Sequence, residues 1–360
     1  MTRRDAPWDR PRPTAHGPRP TAPCLAINIV TFNSGAQIDA CLASVFAQDR
    51  DDSAVTVVDN ASRDDTPARL ARWAERGVRV IRNERNEYYA RAHNEAIRRT
   101  ASEFVVTLNP DVTLRPDFLS QVLAAFDQSP RIGSVNGKLL LAETAPGADD
   151  GAATGAAGAL IDSAGLMIYR SRRPYLRGNR KPDRTHCRAP APIFGADGAC
   201  AAYRRAMLDD IAVPIEGGDG GAVEYFDEDF VIYREDVDLA WRAQLFGWDG
   251  WYTPAARGVH VRGFHLGRGR RGIAPELKRH SVKNGWLLPL KNDTLPAILR
   301  AAPWFVPYQA KIVAGLVALE RSSLGAVPDT LRLLPKIGRK RAFIQARRRR
   351  SASELRHWFA

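Results

Sequence analysis

The sequence predicts an α/β protein: a doubly wound, mostly parallel sheet with a helical C-terminal extension. Three observations predict it. Short apolar runs alternate four times with segments of helical period, which argues for right-handed crossovers. Each of the four runs ends in polar residues, as strands do at the ligand edge of such a sheet. Beyond residue 290 the chain turns into basic, amphipathic stretches.

The elements follow in order. CLAINIVTFN, residues 24–33, is almost continuously apolar, as a strand buried on both faces would be. GAQIDACLASVFAQ then sets Ile38, Leu42, Val45 and Phe46 on one helical face. AVTVVDN is a second strand, after which Ser62 reads as a helix N-cap with Asp64 and Asp65 in the first turn. VRVIRN and EFVVTLNPD are the third and fourth strands, followed by the helices ARAHNEAIRRT and RPDFLSQVLAAF. The Gly- and Ala-rich stretch 143–159 reads as a loop insertion, and 190–232 as short strands and turns. FDEDF, residues 226–230, reads as a turn before a strand, with acceptor contact through Asp227, Glu228 and Asp229 as the alternative. YREDVDLAWRAQLFGW, residues 233–248, then starts a helix with Glu235 and Asp236 in its first turn. Its spacing turns Val237, Trp241 and Leu245 inward and leaves Asp238 in solvent.

The bulk properties narrow the class. The formal charge of +13 gathers at both ends of the 360-residue chain. Such a balance suits nucleic acid, an anionic membrane face or acidic ligands. The Pro- and Arg-rich segment 1–23 reads as a disordered tail without the apolar core of a secretory signal. Four widely spaced cysteines form no CxxC pair and suggest neither a disulfide framework nor a zinc cluster. Residues 301–320, AAPWFVPYQAKIVAGLVALE, are interrupted by Pro303, Pro307 and Lys311; they suit an interfacial helix or a helix packed on the core, not a membrane span.

The strand ends carry the chemistry. They offer Thr31 and Asn33, Asp59 and Asn60, Asn83 and Asn86, then Asn109 and Asp111. Any one pair could merely cap a helix or make a turn, but four in series point to a ligand. No P-loop occurs, and no GxGxxG follows the first strand, which argues against dinucleotide chemistry. A carboxylate after strand two can hold a ribose or base edge, and one after strand four can hold a divalent cation that shares its coordination sphere with phosphates.

Read together, IVTFNS, VVDNAS, RNEYYARAHNEAI, TLNPDV, GADGACAAYRR, FDEDFVIYREDVDLAWRAQLFGW, HVRG and RHSVKNGWLLPLK resemble the inverting glycosyltransferases of family 2, in order and over residues 25–291. The resemblance is to the rhamnosyltransferase-like bacterial branch. It implies a GT-A fold, with Thr31, Phe32, Asn33, Asp59, Asn86, Asn94 and Asn109 on the donor nucleotide. It puts Asp111 and His260 on Mg2+ or Mn2+, with His265 as the competing histidine, and makes Asp236 the general base with Glu235 as contender. The family's Gly-rich segment is here EYYARAHN, so Tyr89, Arg91 and His93 fill positions where small residues are common. They would narrow the donor pocket or set a cation over the diphosphate.

The expectation is a metal-dependent transferase moving a sugar from a UDP- or dTDP-sugar, dTDP-rhamnose first, to a hydroxyl of a cell-envelope glycan or lipid-linked saccharide. The domains expected are a tail (1–23), a catalytic domain (24–290) and a basic amphipathic region (291–360) docked on the inner face of the plasma membrane from the cytoplasm. No nucleic acid is expected as a partner, and a homo-oligomer is left open. The rival readings are a nucleic-acid-binding protein using its basic tails and a sugar-nucleotide nucleotidyltransferase.

Overall fold

The computed structural model describes residues 24–142, 158–215, 222–262 and 273–359. The N-terminal tail, nearly all of the 143–159 insertion, His265 and residues 267–272 (GRGRRG, whose sequence reads as a basic loop able to close over a diphosphate) lie outside the described residues.

The expected alternation is present: β1 (Leu25–Thr31), α1 (Gly35–Phe46), β2 (Ser53–Asp59), α2 (Thr66–Ala74), β3 (Arg79–Arg82), α3 (Tyr88–Arg98), β4 (Phe104–Leu108), β5 (Val112–Leu114) and α4 (Phe118–Phe126). Then come β6 (Ile132–Leu141), β7 (Ile161–Ser163), β8 (Leu166–Ile168), β9 (Pro174–Leu176), β10 (Ala191–Ile193), β11 (Cys200–Arg204), α5 (Arg205–Ile211), β12 (Val213–Pro214) and β13 (Val223–Glu224). α6 (Glu235–Leu245), β14 (Asp249–His260), α7 (Pro275–Asn292), α8 (Leu295–Ala318) and α9 (Ala326–Arg347) complete the described chain.

The main sheet runs β10-β14-β6-β11-β4-β1-β2-β3, with β5 beside β14 and β7 beside β6. β4, β1, β2 and β3 are parallel, as the βα repeats require. β11 then runs antiparallel to both β4 and β6, so the sheet is mixed. Alternation along β1 sends Leu25, Ile27 and Ile29 into the core under α1, α2 and α4, and Ala26 into the core under α3, α5 and α6.

Several local expectations need correction. Ser62 caps no helix: α2 starts at Thr66, and Ser62 stays in the loop with its N–H on Asp59. No strand follows FDEDF. The chain there is an irregular loop in which Val231, Tyr233 and Arg234 all take left-handed backbone angles. Asp238 is buried rather than solvated, because α7 brings Lys291 and Asn292 against it. α8 continues through Pro303 and Pro307, both on its exposed side, so the carbonyls they leave unbonded belong to exposed residues. Among the described residues no helix is long and apolar enough to cross a membrane.

Candidate active site

The ends of β1 and β2 are fastened to each other. Thr31 lies opposite Asp59 in the register, and the Asn60 N–H donates to the Thr31 carbonyl at 2.9 Å. Asp59 is buried, accepts the Ser62 N–H at 3.1 Å, and its second oxygen faces Arg82 at 3.6 Å. Ser62 Oγ accepts the Asn33 N–H at 2.8 Å, and Asn33 Oδ1 accepts the Arg63 N–H at 2.8 Å. Asn33 itself is left-handed. Between these anchors the Phe32 ring stands exposed, and buried Thr31 Oγ1 has no partner among the described residues. Asn86 sits on the adjacent β3–α3 loop, its Oδ1 accepting the Tyr88 N–H at 2.8 Å.

β4 leads to a second cluster. The Asn109 N–H donates to the Ala199 carbonyl, and the Val261 N–H to the Asp111 carbonyl, each at 2.9 Å. These bonds bring the end of β14 over the turn after β4. Asp111 Oδ1 lies 3.2 Å from His260 Nε2, and His260 Nδ1 lies 2.8 Å from buried Asp162 Oδ2. Arg262 Nε donates to the other Asp162 oxygen at 2.5 Å. Burial disfavours charge on His260, but its two carboxylate neighbours override it and push the pKa up to about 9. A carboxylate oxygen and an imidazole whose far nitrogen is held by a buried acid suit a divalent cation. Among the described residues no group of three or more His, Cys, Asp and Glu side chains could hold a metal. Any ion there would take its other ligands from substrate and water.

The third cluster is at the start of α6. The left-handed turn at Tyr233 and Arg234 swings Glu235 and Asp236 to opposite fates. Asn284 of α7 holds this turn by donating to the carbonyls of Phe230, Ile232 and Tyr233 at 2.7–2.9 Å. Asp236 Oδ2 accepts the Gly198 N–H at 2.9 Å and Oδ1 accepts the Val237 N–H at 2.7 Å. Partial burial outweighs these bonds and pushes the Asp236 pKa up to about 6. Asp236 also lines a cavity of about 790 Å3 bounded by α7 and α8. Glu235 does not. It points into the interior, where Oε2 has no partner among the described residues, and burial holds its carboxyl well above the usual range. Gly198 and Ala199 thus connect the acid on α6 to Asn109, and through it to Asp111 and His260.

Residues 26–138 match the family described as Glycosyl transferase family 2. The chain is a glycosyltransferase. It is 27% identical over 269 residues to the N-acetylglucosaminyl-diphospho-decaprenol L-rhamnosyltransferase of Mycobacterium tuberculosis, covering 68% of this chain and 78% of that one. It is similar in fold to GalNAc-T7 with UDP, GalNAc and Mn2+, at TM-score 0.56 and 15% identity, over 75% of this chain and about half (49%) of that one. It is similar again to the mannosyltransferase PcManGT of Pyrobaculum calidifontis in complex with GDP-Man and Mn2+, at TM-score 0.50 and 21% identity, over 96% and 91% of the two chains. These likenesses identify the GT-A fold.

Not every residue read from the sequence reaches the cleft of this glycosyltransferase. The Asn94 amide is buried, donating to the Phe226 carbonyl at 2.7 Å and to Glu228 at 3.1 Å and accepting two backbone N–H groups, so it ties α3 to the FDEDF loop instead. Arg91 turns away to Glu87 and Glu228 and sets no cation over a diphosphate. His93 is enclosed between Tyr89 and Phe226, where burial lowers its pKa to about 3. Tyr89 supports the site indirectly, donating to the Gly198 carbonyl at 2.8 Å. The acids of FDEDF serve the scaffold: buried Asp227 pairs with Lys291 and Lys340, and Asp229 with Lys336 and Lys340. Lys283 donates to the Asp229 carbonyl and so belongs to the same scaffold. Sequence reasoning missed Asp162 and Asp197. The first reaches the site from β7; the second accepts the Ala199 N–H at 3.0 Å and shapes the turn that offers Gly198.

Proposed function

We propose that this glycosyltransferase moves a sugar, with inversion, from a dTDP- or UDP-sugar to a hydroxyl of a lipid-diphosphate-linked saccharide of the cell envelope. dTDP-rhamnose is the first donor to test, and the rhamnosyltransferase named above supports both choices. The observation that carries the reading is Asp236, a carboxylate with a raised pKa on the wall of a large cavity and tied through Gly198–Ala199 to the Asp111–His260 pair.

In this reading the Asp59, Asn33 and Phe32 cluster receives the nucleoside. An acceptor hydroxyl in the cavity gives its proton to Asp236 as its oxygen bonds to the anomeric carbon. The bond from that carbon to the donor diphosphate breaks on the opposite side, and its electron pair leaves with the diphosphate. Bound at Asp111 and His260, Mg2+ or Mn2+ would supply charge stabilisation for that leaving group. Asp162 holds the His260 ring in place for such an ion.

The reading includes peripheral attachment to the inner face of the plasma membrane. Leu295, Leu299, Val306, Val313 and Val317 are all exposed on α8. They fall within about 40° of one another on a helix of 3.6 residues per turn. On the other side of the same helix, Arg170, Arg172, Arg300 and Arg356 line a cavity of about 250 Å3 with Trp304 and no acidic residue. An exposed aliphatic stripe on a strongly basic chain suits an anionic bilayer surface.

The deciding experiment combines thermal shifts with dTDP, UDP and GDP, with and without Mn2+, with product release from dTDP-rhamnose and a prenyl-diphosphate-linked N-acetylglucosamine. Stabilisation by dTDP or UDP that Mn2+ strengthens, with sugar transfer, supports the reading. If no nucleoside diphosphate stabilises the chain with or without metal, the donor-site assignment is wrong.

A further inference from the structure

The cavity that begins at Asp236 continues far past any room a sugar needs. Its walls beyond Tyr233 and Arg234 come from α7 and the inner face of α8, and they are mostly apolar: Val282, Trp286, Ile312, Leu316 and Leu319. Leu319, at the end of α8, both lines the cavity and is 84% exposed, so the cavity opens at that end of the helix. Cations line it as well. Lys311 comes from α8, and Arg173 comes from the β8–β9 hairpin; among the described residues neither has an ion-pair partner. Arg234 lies across Gly285 of α7, where an added Cβ would collide with its guanidinium.

We propose that this cavity is an acceptor channel built for an amphipathic substrate, with the diphosphate of a prenyl-diphosphate-linked saccharide beside Arg173 and Lys311 and the prenyl chain between Trp286, Ile312 and Leu316. The proposal rests on the function above only for what is transferred. Its own basis is the chemistry gathered in one cavity: a carboxylate, cations without an ion-pair partner among the described residues, apolar walls, and an opening at the C-terminal end of α8. Pockets of about 300–1,000 Å3 enclose a drug-sized ligand, so about 790 Å3 admits the saccharide, the diphosphate and the first prenyl units. A longer chain must leave past Leu319, at the C-terminal end of α8.

The test measures binding by calorimetry, without any sugar transfer, and uses farnesyl diphosphate, inorganic diphosphate and farnesol as probes. Farnesyl diphosphate should bind at least about tenfold more tightly than either part alone, because the two halves of the channel act together. Ile312→Asp and Leu319→Asp should each weaken farnesyl diphosphate binding about tenfold and leave inorganic diphosphate binding unchanged. Arg173→Glu should weaken both diphosphates. Unchanged melting temperatures, and unchanged stabilisation by the nucleoside diphosphate, would show that the variants fold. The proposal is overturned if farnesyl diphosphate binds no better than inorganic diphosphate, or if both apolar-to-Asp variants bind it as the parent does. Prenyl binding that responds to these variants in a protein that transfers no sugar would instead sink the proposed function and leave the channel standing.

Discussion

The Gly198 N–H donates to Asp236 Oδ2 at 2.9 Å, fixing the acid at the start of α6 to the turn that leads into β11. The same turn accepts the Asn109 N–H on its next residue, Ala199. One peptide segment therefore sets the distance between the acid and the Asp111–His260 pair. A Cβ at position 198 would lie 3.1 Å from Tyr89 Oη and 3.5 Å from Asp236 Oδ2. Gly198→Ala should therefore lower kcat severalfold with little change in nucleoside diphosphate affinity, as steady-state kinetics beside thermal shifts would read.

Asp236→Asn should reduce transfer by about 10^2–10^4-fold, the range for losing a general base, and leave donor binding intact. Glu235→Gln should cost far less activity, because Glu235 is enclosed and off the cavity wall. Transfer rates of the two variants side by side decide between the acids; the reverse order would make Glu235 the base.

The rate of transfer should fall as pH drops through about 6, to which burial has raised the Asp236 pKa from the ordinary aspartate range. The sign for stability is opposite. A carboxyl whose pKa is raised by folding favours the native state below its unfolded pKa, and that contribution is lost as pH rises through about 6. Asp236→Asn should then be more stable than the parent at pH 8 by on the order of 1–3 kcal/mol, and the gap should close by pH 4. Denaturant unfolding at the two pH values measures it.

Asp162 reaches His260 Nδ1 at 2.8 Å and Arg262 at 2.5 Å but has no direct place in the reaction. Asp162→Asn should weaken Mn2+ activation by about 10–100-fold with the saturated rate recovering at high metal. Asp111→Ala should not recover. A titration of activity against Mn2+, checked by direct Mn2+ binding, separates a positioning residue from a ligand.

Lys291 is fully buried between Asp227 and Asp238, and Asp238 also pairs with Arg242 at 2.9 Å. This network joins α7 to α6, which carries Asp236. Lys291→Met leaves two buried carboxylates short of a cation and should cost about 3–5 kcal/mol, read as a large fall in melting temperature. Replacing the pair members together with apolar residues should cost less.

Flotation with vesicles should show binding to anionic but not zwitterionic lipid, weakening as salt rises. Leu299→Asp with Val313→Asp should abolish it, since both side chains are exposed and contribute little to the fold. Arg170→Glu with Arg356→Glu should shift the dependence on anionic lipid without unfolding the chain. Equal binding by all variants would remove α8 as the membrane contact.

The sequence by itself determined the βα repeat, its parallel half and the polar residues at each strand end. Those features are local: apolar period, strand length and the residues that stop a strand are written within a few positions of one another. It also marked Asp236 and Asp111, because short ordered motifs carry them. Tertiary structure alone decided which neighbour serves which purpose. Glu235 and Asp236 are adjacent in the chain, yet the left-handed turn at Tyr233 and Arg234 sends one into the interior and the other to the cavity. Asn94, legible as a ligand contact, is instead consumed by the FDEDF loop more than 130 residues away. Asp162 and Lys291 gave no local signal, since their partners lie 98 and 53 residues distant. A side chain's charge state, its exposure and the company it keeps depend on contacts between remote segments, and only the folded chain supplies them.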